Sequence, residues 1–310
     1  MQCHINMGPA KPPQRKARLP HYDHKKMVVL QEKFDELESL GVLGKPEEEG
    51  VVVENLSMSF LVPKPGINDF RLVTAFTEIG EYSKPQPSVM PDVEATLRTI
   101  GRWKYVIKTD LKQAYFQIPL SKESKRYAGT ASPFKGVRVF NRAAMGLPGS
   151  ETALEELMNR VAGELIMEGC AAKVADDCYC GGDTIESALG AWERLLAAFA
   201  ANNLGLNPAK TVIFPKRVVI LGWVWEMGTL SASPHRISAL SVVEPPTTVK
   251  SLRSFIGAYK HLGKVIRWHS DFINPLDQMV AGDMFINISH FLAIFGTFAP
   301  FENNRKPFRF

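Results

Sequence analysis

Three carboxylates constrain this chain more than any other feature. A β-rich run, Tyr105-Val106-Ile107, stops at Asp110, and residues 171–182 read as a hairpin carrying Asp176-Asp177 at its tip. Folding can bring these acids to one spot, where unpaired they repel. Like charges a few ångströms apart raise one another's pKa, and a dense acidic cluster in a partly buried site calls for a divalent cation. Carboxylate oxygens with open positions suit Mg²⁺, a hard ion that leaves room for substrate phosphates. An isolated Asp-Asp pair is also ordinary turn chemistry, so its surroundings decide.

Those surroundings mix helical and strand periods. Leu30, Phe34, Leu37 and Leu40 recur at helical spacing, with Gly41 and Gly44 as a stop. A strand-like run, residues 58–63, ends at the turn Pro65-Gly66. Residues 81–92 hold Pro85, Pro87 and Pro91 and read as a loop leading to a short helix with Val93, Leu97 and Ile100 inward. Leu154, Leu157, Val161 and Leu165 mark a helix over 150–168. The longest helix is expected over about 184–203, with Ile185, Leu189, Trp192, Leu195 and Phe199 on one face. Strands are expected over 211–214 and 218–225, the second turning back at Gly228, and a last long helix over about 249–268. No repeat or low-complexity tract appears, and the pattern implies an α+β fold rather than a doubly wound one.

The chain has 310 residues and a net charge of +5, a tilt too mild to identify a partner. Its distribution says more: Lys11, Arg15, Lys16, Arg18, Lys25 and Lys26 face a single acid, Asp23, in the first 27 residues, and the first 23 read as an extended basic arm over a surface. Cys3, Cys170, Cys178 and Cys180 are too few and uneven for a disulfide framework or a zinc site, and a reducing compartment is expected. Cys178 and Cys180 read as small apolar residues on one strand face. Nothing near Met1 resembles a secretory signal. The apolar stretch 284–301 is broken by Asn287, Ser289, His290, Gly296 and Pro300 and falls short of a membrane span. The expectation is an intracellular protein, cytoplasmic or nuclear, with no membrane partner.

The strings around the carboxylates, KTDLKQAYFQIPL at 108–120 and KVADDCYCGG at 173–182, resemble the two catalytic motifs of retroviral and gypsy-type LTR-retrotransposon reverse transcriptases. In the same family order come SFLVPKPGINDFRLV at 59–73, AMGLPGSETALEELM at 144–158, NLGLNPAKT at 203–211, ILGWVWEMGTLSAS at 220–233 and TVKSLRSFIGAYKHLGKVI at 248–266. The resemblance implies a right-hand polymerase of fingers, palm and helical thumb. The basic arm at 1–23 would precede fingers at 24–90 and 121–150, palm at 91–120 and 151–245, and thumb at 246–283. It implies an RNA-directed DNA polymerase that extends a primer on an RNA or DNA template with deoxynucleoside triphosphates and Mg²⁺, or Mn²⁺ in its place. A catalytically impaired transposon relic, or a protein recruited for nucleic-acid binding, is the alternative.

Position by position, the resemblance makes Asp110 and Asp176 the principal metal ligands, with Asp177 beside them and the Leu111 carbonyl as a further ligand. Lys64 and Arg71 would neutralise the triphosphate, a point charge and a planar fork respectively. Tyr115 would close over the sugar 2′ position, with Gln113, Ala114 and Met145 around the nucleotide. Lys210 would protonate the departing pyrophosphate. Gly146 and Trp223 would touch nucleic acid. In the last helix Lys250, Arg253, Lys260, Lys264 and Arg267 share an arc with no acid among them, as suits a phosphate-tracking face. Leu252, Phe255, Ile256, Tyr259, Leu262 and Ile266 form its apolar face.

The chain departs from the family at Val174, where an aromatic is usual, and at Ala144-Met145, where Pro-Phe is usual; both bear on rate and fidelity. Likeness fades after NPLDQMVAGD at 274–283. The tail, 284–310, resembles nothing in the family, no ribonuclease H acidic set follows, and a truncated or mispredicted reading frame of a transposon-derived gene is the expectation.

Overall fold

Asp23 opens the first helix by accepting the Lys26 N–H at 2.8 Å, an N-cap that satisfies one otherwise unpaired donor. The structure is a computed structural model and describes residues 1–10, 12–13, 18–66, 68–88, 92–235, 246, 248–263 and 269–281. Two compact units emerge. One comprises Met1–Thr96, Ile107–Cys180 and Leu189–Val212; the other comprises Leu97–Val106, Gly181–Ala188 and the described residues from Ile213 onward.

In the first unit, α1 (His24–Ser39) buries Leu30, Phe34 and Leu37 at helical spacing. Leu40, expected with them, is the C-cap and 56% exposed. β1 (Leu43–Gly44), α2 (Pro46–Glu49) and β2 (Leu56–Ser57) follow. β3 (Ser59–Pro63) and β4 (Phe70–Thr74) form a separate hairpin, with Val62 opposite Arg71. After α3 (Thr77–Tyr82), α4 (Val93–Arg102) begins in this unit with Val93 exposed, and its residues from Leu97 onward, with Leu97 and Ile100 buried, belong to the second unit. β5 (Tyr105–Asp110) leads into a 3₁₀ turn, Ala114–Gln117, and then α5 (Lys122–Lys125). β6 (Gly129–Ser132) and β7 (Gly136–Phe140) join the sheet β1-β7-β6-β2.

The longest helix among the described residues is α6 (Ser150–Met167), 18 residues; the one expected to be longest, α7 (Ile185–Ala201), has 17. The expected faces pack inward for the most part: Leu157 and Val161 of α6 and Trp192 of α7 rest against the core that buries Leu154, Leu165, Leu195 and Phe199. On α6 the buried residues are Ser150, Ala153, Leu154, Glu155, Met158, Ala162 and Leu165, with Leu157 and Val161 half-buried. On α7 Ala188, Ala191, Leu195 and Phe199 are buried, while Ile185 and Leu189 are exposed. Small alanines allow closer approach than the large residues on which the spacing argument rests. β8 (Ala171–Val174) and β9 (Asp177–Gly182) pair antiparallel, and with β10 (Val212–Ile213) complete the sheet β10-β5-β9-β8. One apolar core runs through this unit, with Phe34, Ile79, Ile118, Met158 and Phe199 almost wholly enclosed. Each such side chain contributes roughly 1.5–3 kcal/mol by leaving water.

The amino terminus is extended, as expected, yet its first residues are not an arm lying on a surface. Cys3 N donates to the Pro119 carbonyl at 2.8 Å, Ser121 N to the Cys3 carbonyl at 2.9 Å and Gly8 N to the Tyr82 carbonyl at 2.8 Å. Cys3 and Ile5 are buried.

In the second unit the single strand expected over 218–225 is two. Leu221 and Gly222 both have positive φ, 50° and 78°, and turn β11 (Arg217–Ile220) back into β12 (Trp223–Glu226). β13 (Thr229–Ala232) completes an antiparallel meander with β12 at its centre. The last expected helix is α8 (Val249–Gly263), whose Leu252, Phe255, Ile256 and Tyr259 pack on Ile273, Leu276 and Met279 of α9 (His269–Ala281). Ile266 and the tail 284–310 lie outside the described residues, and the side chain of Leu262 is likewise not described. No helix among the described residues is long and apolar enough to cross a membrane.

Candidate active site

β5 delivers Asp110 at its last position, and the β8–β9 hairpin delivers Asp176. The hairpin turn is Ala175-Asp176, because Val174 pairs with Asp177; Asp177 is therefore the first residue of β9 rather than part of the tip. A two-residue hairpin turn needs positive φ, and Ala175 supplies it at 53°, where Gly or Asn is the ordinary choice. The Leu111 N–H donates to the Asp176 carbonyl at 3.3 Å, and the Asn207 N–H to the Asp110 carbonyl at 2.9 Å. These backbone bonds fix the strand end, the turn and the 203–211 segment in one place.

The side chains converge there. Asp110, 5% exposed, lies within hydrogen-bonding reach of Asp176. Burial raises the Asp176 pKa first, and the charges of Asp110 and Asp177 raise it further. Lys210 donates to Asp110 Oδ2, and that bond raises the lysine's pKa, keeping its proton at neutral pH. Lys108 Nζ lies 3.6 Å from Asp177 Oδ1. Sequence reading passed over Lys108, although its signal was present: it is two residues before Asp110, and alternate residues of a strand share a face.

Tyr115 is half-buried beside this cluster. Burial raises its phenol pKa, and the charges of Glu151 and Asp176 add to the rise. It lines a cavity of about 340 Å³ together with Ser83, Lys84, Gln86, Gly146 and Glu151. Gly149, also in the lining, has φ 84°, and a Cβ there would meet the His4 carbonyl oxygen at 2.2 Å, so the amino-terminal segment packs directly against this lining residue.

Other expected site residues are placed elsewhere or differently. Lys64 pairs with Asp69 of its own hairpin, which Lys33 also reaches at 3.1 Å. Lys64 first, then the Phe70 N–H and Lys33, holds the Asp69 carboxyl well below the usual range. Arg71 is exposed on β4. Gln113 has φ 50° and caps the 3₁₀ turn, Ala114 is buried, and Met145 is 60% exposed. Trp223 is 6% exposed and packed in the central strand of the meander. On α8, Lys250 and Arg253 are exposed; the helix itself carries no acid among its cations, but Lys260 pairs with Asp277 of α9 at 2.7 Å. Proximity in the fold, invisible along the helix, supplies that acid. Lys264 and Arg267 lie outside the described residues.

Among the described residues no three acidic, histidine or cysteine side chains form a ready-made metal cage. The donor chemistry nonetheless fits Mg²⁺, which is commonly held by one or two carboxylates plus substrate phosphates. Asp110 and Asp176 provide two such carboxylates within reach of each other.

Comparison with known proteins gives this geometry a context. The Pol polyprotein of transposon opus from Drosophila melanogaster is 27% identical over 227 residues, 73% of this chain and 22% of the relative. That of transposon gypsy, from the same organism, is 25% identical over 232 residues, again 73% and 22%. The chain thus spans about a fifth of these relatives' length. The fold matches a foamy viral protease-reverse transcriptase in complex with double-stranded DNA at TM-score 0.73 and 19% identity, over 96% of this chain and 51% of that one. A second structure, of the foamy viral enzyme with an RNA/DNA hybrid, matches at TM-score 0.70 and 19% identity over 96% and 39%. The α+β polymerase architecture expected from the sequence is the one found. The family described as reverse transcriptase (RNA-dependent DNA polymerase) matches residues 62–225, more than half of the chain, and the chain belongs to it.

Proposed function

We propose that this chain is the polymerase core of a reverse transcriptase, extending a primer on an RNA or DNA template with deoxynucleoside triphosphates. The observation that carries the reading is the meeting of Asp110 and Asp176 from distant strands, with Lys210 and Tyr115 beside them. Asp110, Asp176 and Asp177 would hold Mg²⁺ or Mn²⁺, with the Leu111 carbonyl as a further ligand. When bound, the metal lowers the pKa of the primer 3′-hydroxyl and neutralises the triphosphate.

The residues divide the remaining work. Asp110 and Asp176 supply negative charge where cations must gather. Lys210 carries a proton that its bond to Asp110 stabilises, and from there it serves as the acid for the pyrophosphate leaving group. Tyr115, on the wall of the 340 Å³ cavity, takes the sugar 2′ side of the nucleotide, with Gly146 nearby. Lys64 and Arg71, on the β3–β4 hairpin, take the triphosphate, for which Lys64 exchanges Asp69 for a phosphate oxygen. Lys250 and Arg253 of α8 contact template-primer phosphates without reading sequence. The division into fingers, palm and thumb follows the same reading.

The test is extension of a DNA primer on an RNA template with Mg²⁺ or Mn²⁺, comparing the chain with its Asp176→Asn variant. The parent extends and the variant loses about a hundredfold or more of the rate. Equal rates in the two, or none in either, removes the enzymatic reading.

A further inference from the structure

Beneath the carboxylates lies an ion pair that the proposed chemistry does not use. Lys173 Nζ donates to Glu155 Oε1, with the two side chains only 7% and 10% exposed. Taking both charges out of water is costly, and apolar residues of similar volume usually serve stability as well or better. Stability alone therefore gives no reason for the pair. Its placement does.

Lys173 sits on β8 three residues before Asp176, opposite Cys178 in the ladder. Glu155 sits on α6, one turn beyond Glu151 and Thr152, which line the cavity. The pair thus ties the helix whose first turn forms the cavity wall to the hairpin that carries the acidic turn. That turn has two reasons to move. Ala175 holds it in a left-handed conformation unfavourable for a residue with a Cβ, and Asp176 faces the negative charges of Asp110 and Asp177.

We propose that Lys173 and Glu155 are positioning residues, a buried strut between β8 and α6 that keeps the Asp176 turn beside Asp110 in register for a divalent cation. The strut rests on the metal-site reading above. It acts through the hairpin backbone and touches neither metal nor substrate.

The test uses the full chain and a double variant, Lys173→Met with Glu155→Met. Three quantities are measured: the thermal midpoint, Mn²⁺ affinity from the free-ion electron paramagnetic resonance signal, and metal-free amide hydrogen exchange at residues 174–177. The double variant melts at or above the parental temperature, because the apolar pair replaces the buried charges. Its Mn²⁺ dissociation constant rises about fivefold to tenfold, and exchange at 174–177 quickens while the middle of α6 is unchanged. Parental Mn²⁺ affinity and parental exchange in a variant with parental melting overturn the proposal. Should the double variant fail to fold, Glu155→Gln, which keeps an acceptor oxygen and removes the charge, takes its place. Weaker Mn²⁺ binding with faster exchange then supports the strut, and parental values of both overturn it. A parent that binds no Mn²⁺ sinks the metal reading of the proposed function instead, and the metal-free exchange still judges the strut.

Discussion

Ala175 is where a single residue most visibly trades backbone comfort for placement. Its φ of 53° lets a two-residue turn present Asp176 to Asp110, at a cost of roughly 1 kcal/mol for a residue with a Cβ. Ala175→Gly removes the clash and adds unfolded-state entropy, for a net gain of about 0.5 kcal/mol in urea unfolding. Ala175→Val, β-branched at positive φ, loses more than about 1 kcal/mol in the same measurement. The carboxylates' places, at a strand end and in a hairpin, were legible along the chain as a local pattern, and the ordered motifs around them made them a candidate site. Lys108 was legible in principle, by strand alternation. Trp223, given to nucleic acid by the resemblance, packs in the central strand of the meander, a burial that only the fold reveals.

At the scale of elements, α1 and the hairpins followed from periodicity and turn chemistry, and α6 and α7 formed where expected, their inward faces filled out by alanines the spacing argument left out and, on α7, without Ile185 and Leu189. Phe34 anchors α1 in the core, wholly enclosed. Phe34→Ala costs about 3–5 kcal/mol in equilibrium denaturation, the transfer and cavity penalty together. Glu49, at the end of α2, accepts from Lys125 at 2.6 Å and from Asn141 at 2.8 Å. Lys125 first, then Asn141, lowers its pKa. A carboxyl with a lowered folded pKa contributes stability above its unfolded value of about 4.3 and loses it as pH falls through the folded one. Glu49→Gln accordingly melts lower than the parent at pH 7, and the two melting curves converge as pH falls below about 4. A gap unchanged down to that pH would show the pairing contributes nothing by charge.

For the whole molecule the expected partner is a polyanion, and the exposed Lys250 and Arg253 of α8 give that expectation a measurable form. Affinity for a primer-template duplex falls with salt, and Lys250→Ala or Arg253→Ala each lowers the log-log slope by about 1 in a fluorescence titration. Lys260→Ala changes the slope less, because Asp277 already occupies that ammonium. Slopes that do not respond to Lys250 or Arg253 would remove α8 from the nucleic-acid face. The two-unit division was not legible in the chain, whose segments enter the first unit three separate times.

What the sequence determined by itself was local: which runs are strands or helices, where turns must fall, and that Asp110 and the Asp176-Asp177 pair belong to one ordered set of motifs. Tertiary structure alone decided which charges meet. Lys210 finds Asp110 across 100 positions, Asp277 reaches Lys260, and Lys173 is buried against Glu155. The reason is physical. Periodicity and turn chemistry act over a few residues, whereas an ion pair depends on distance in space and on the water excluded around it, which only the packed chain sets.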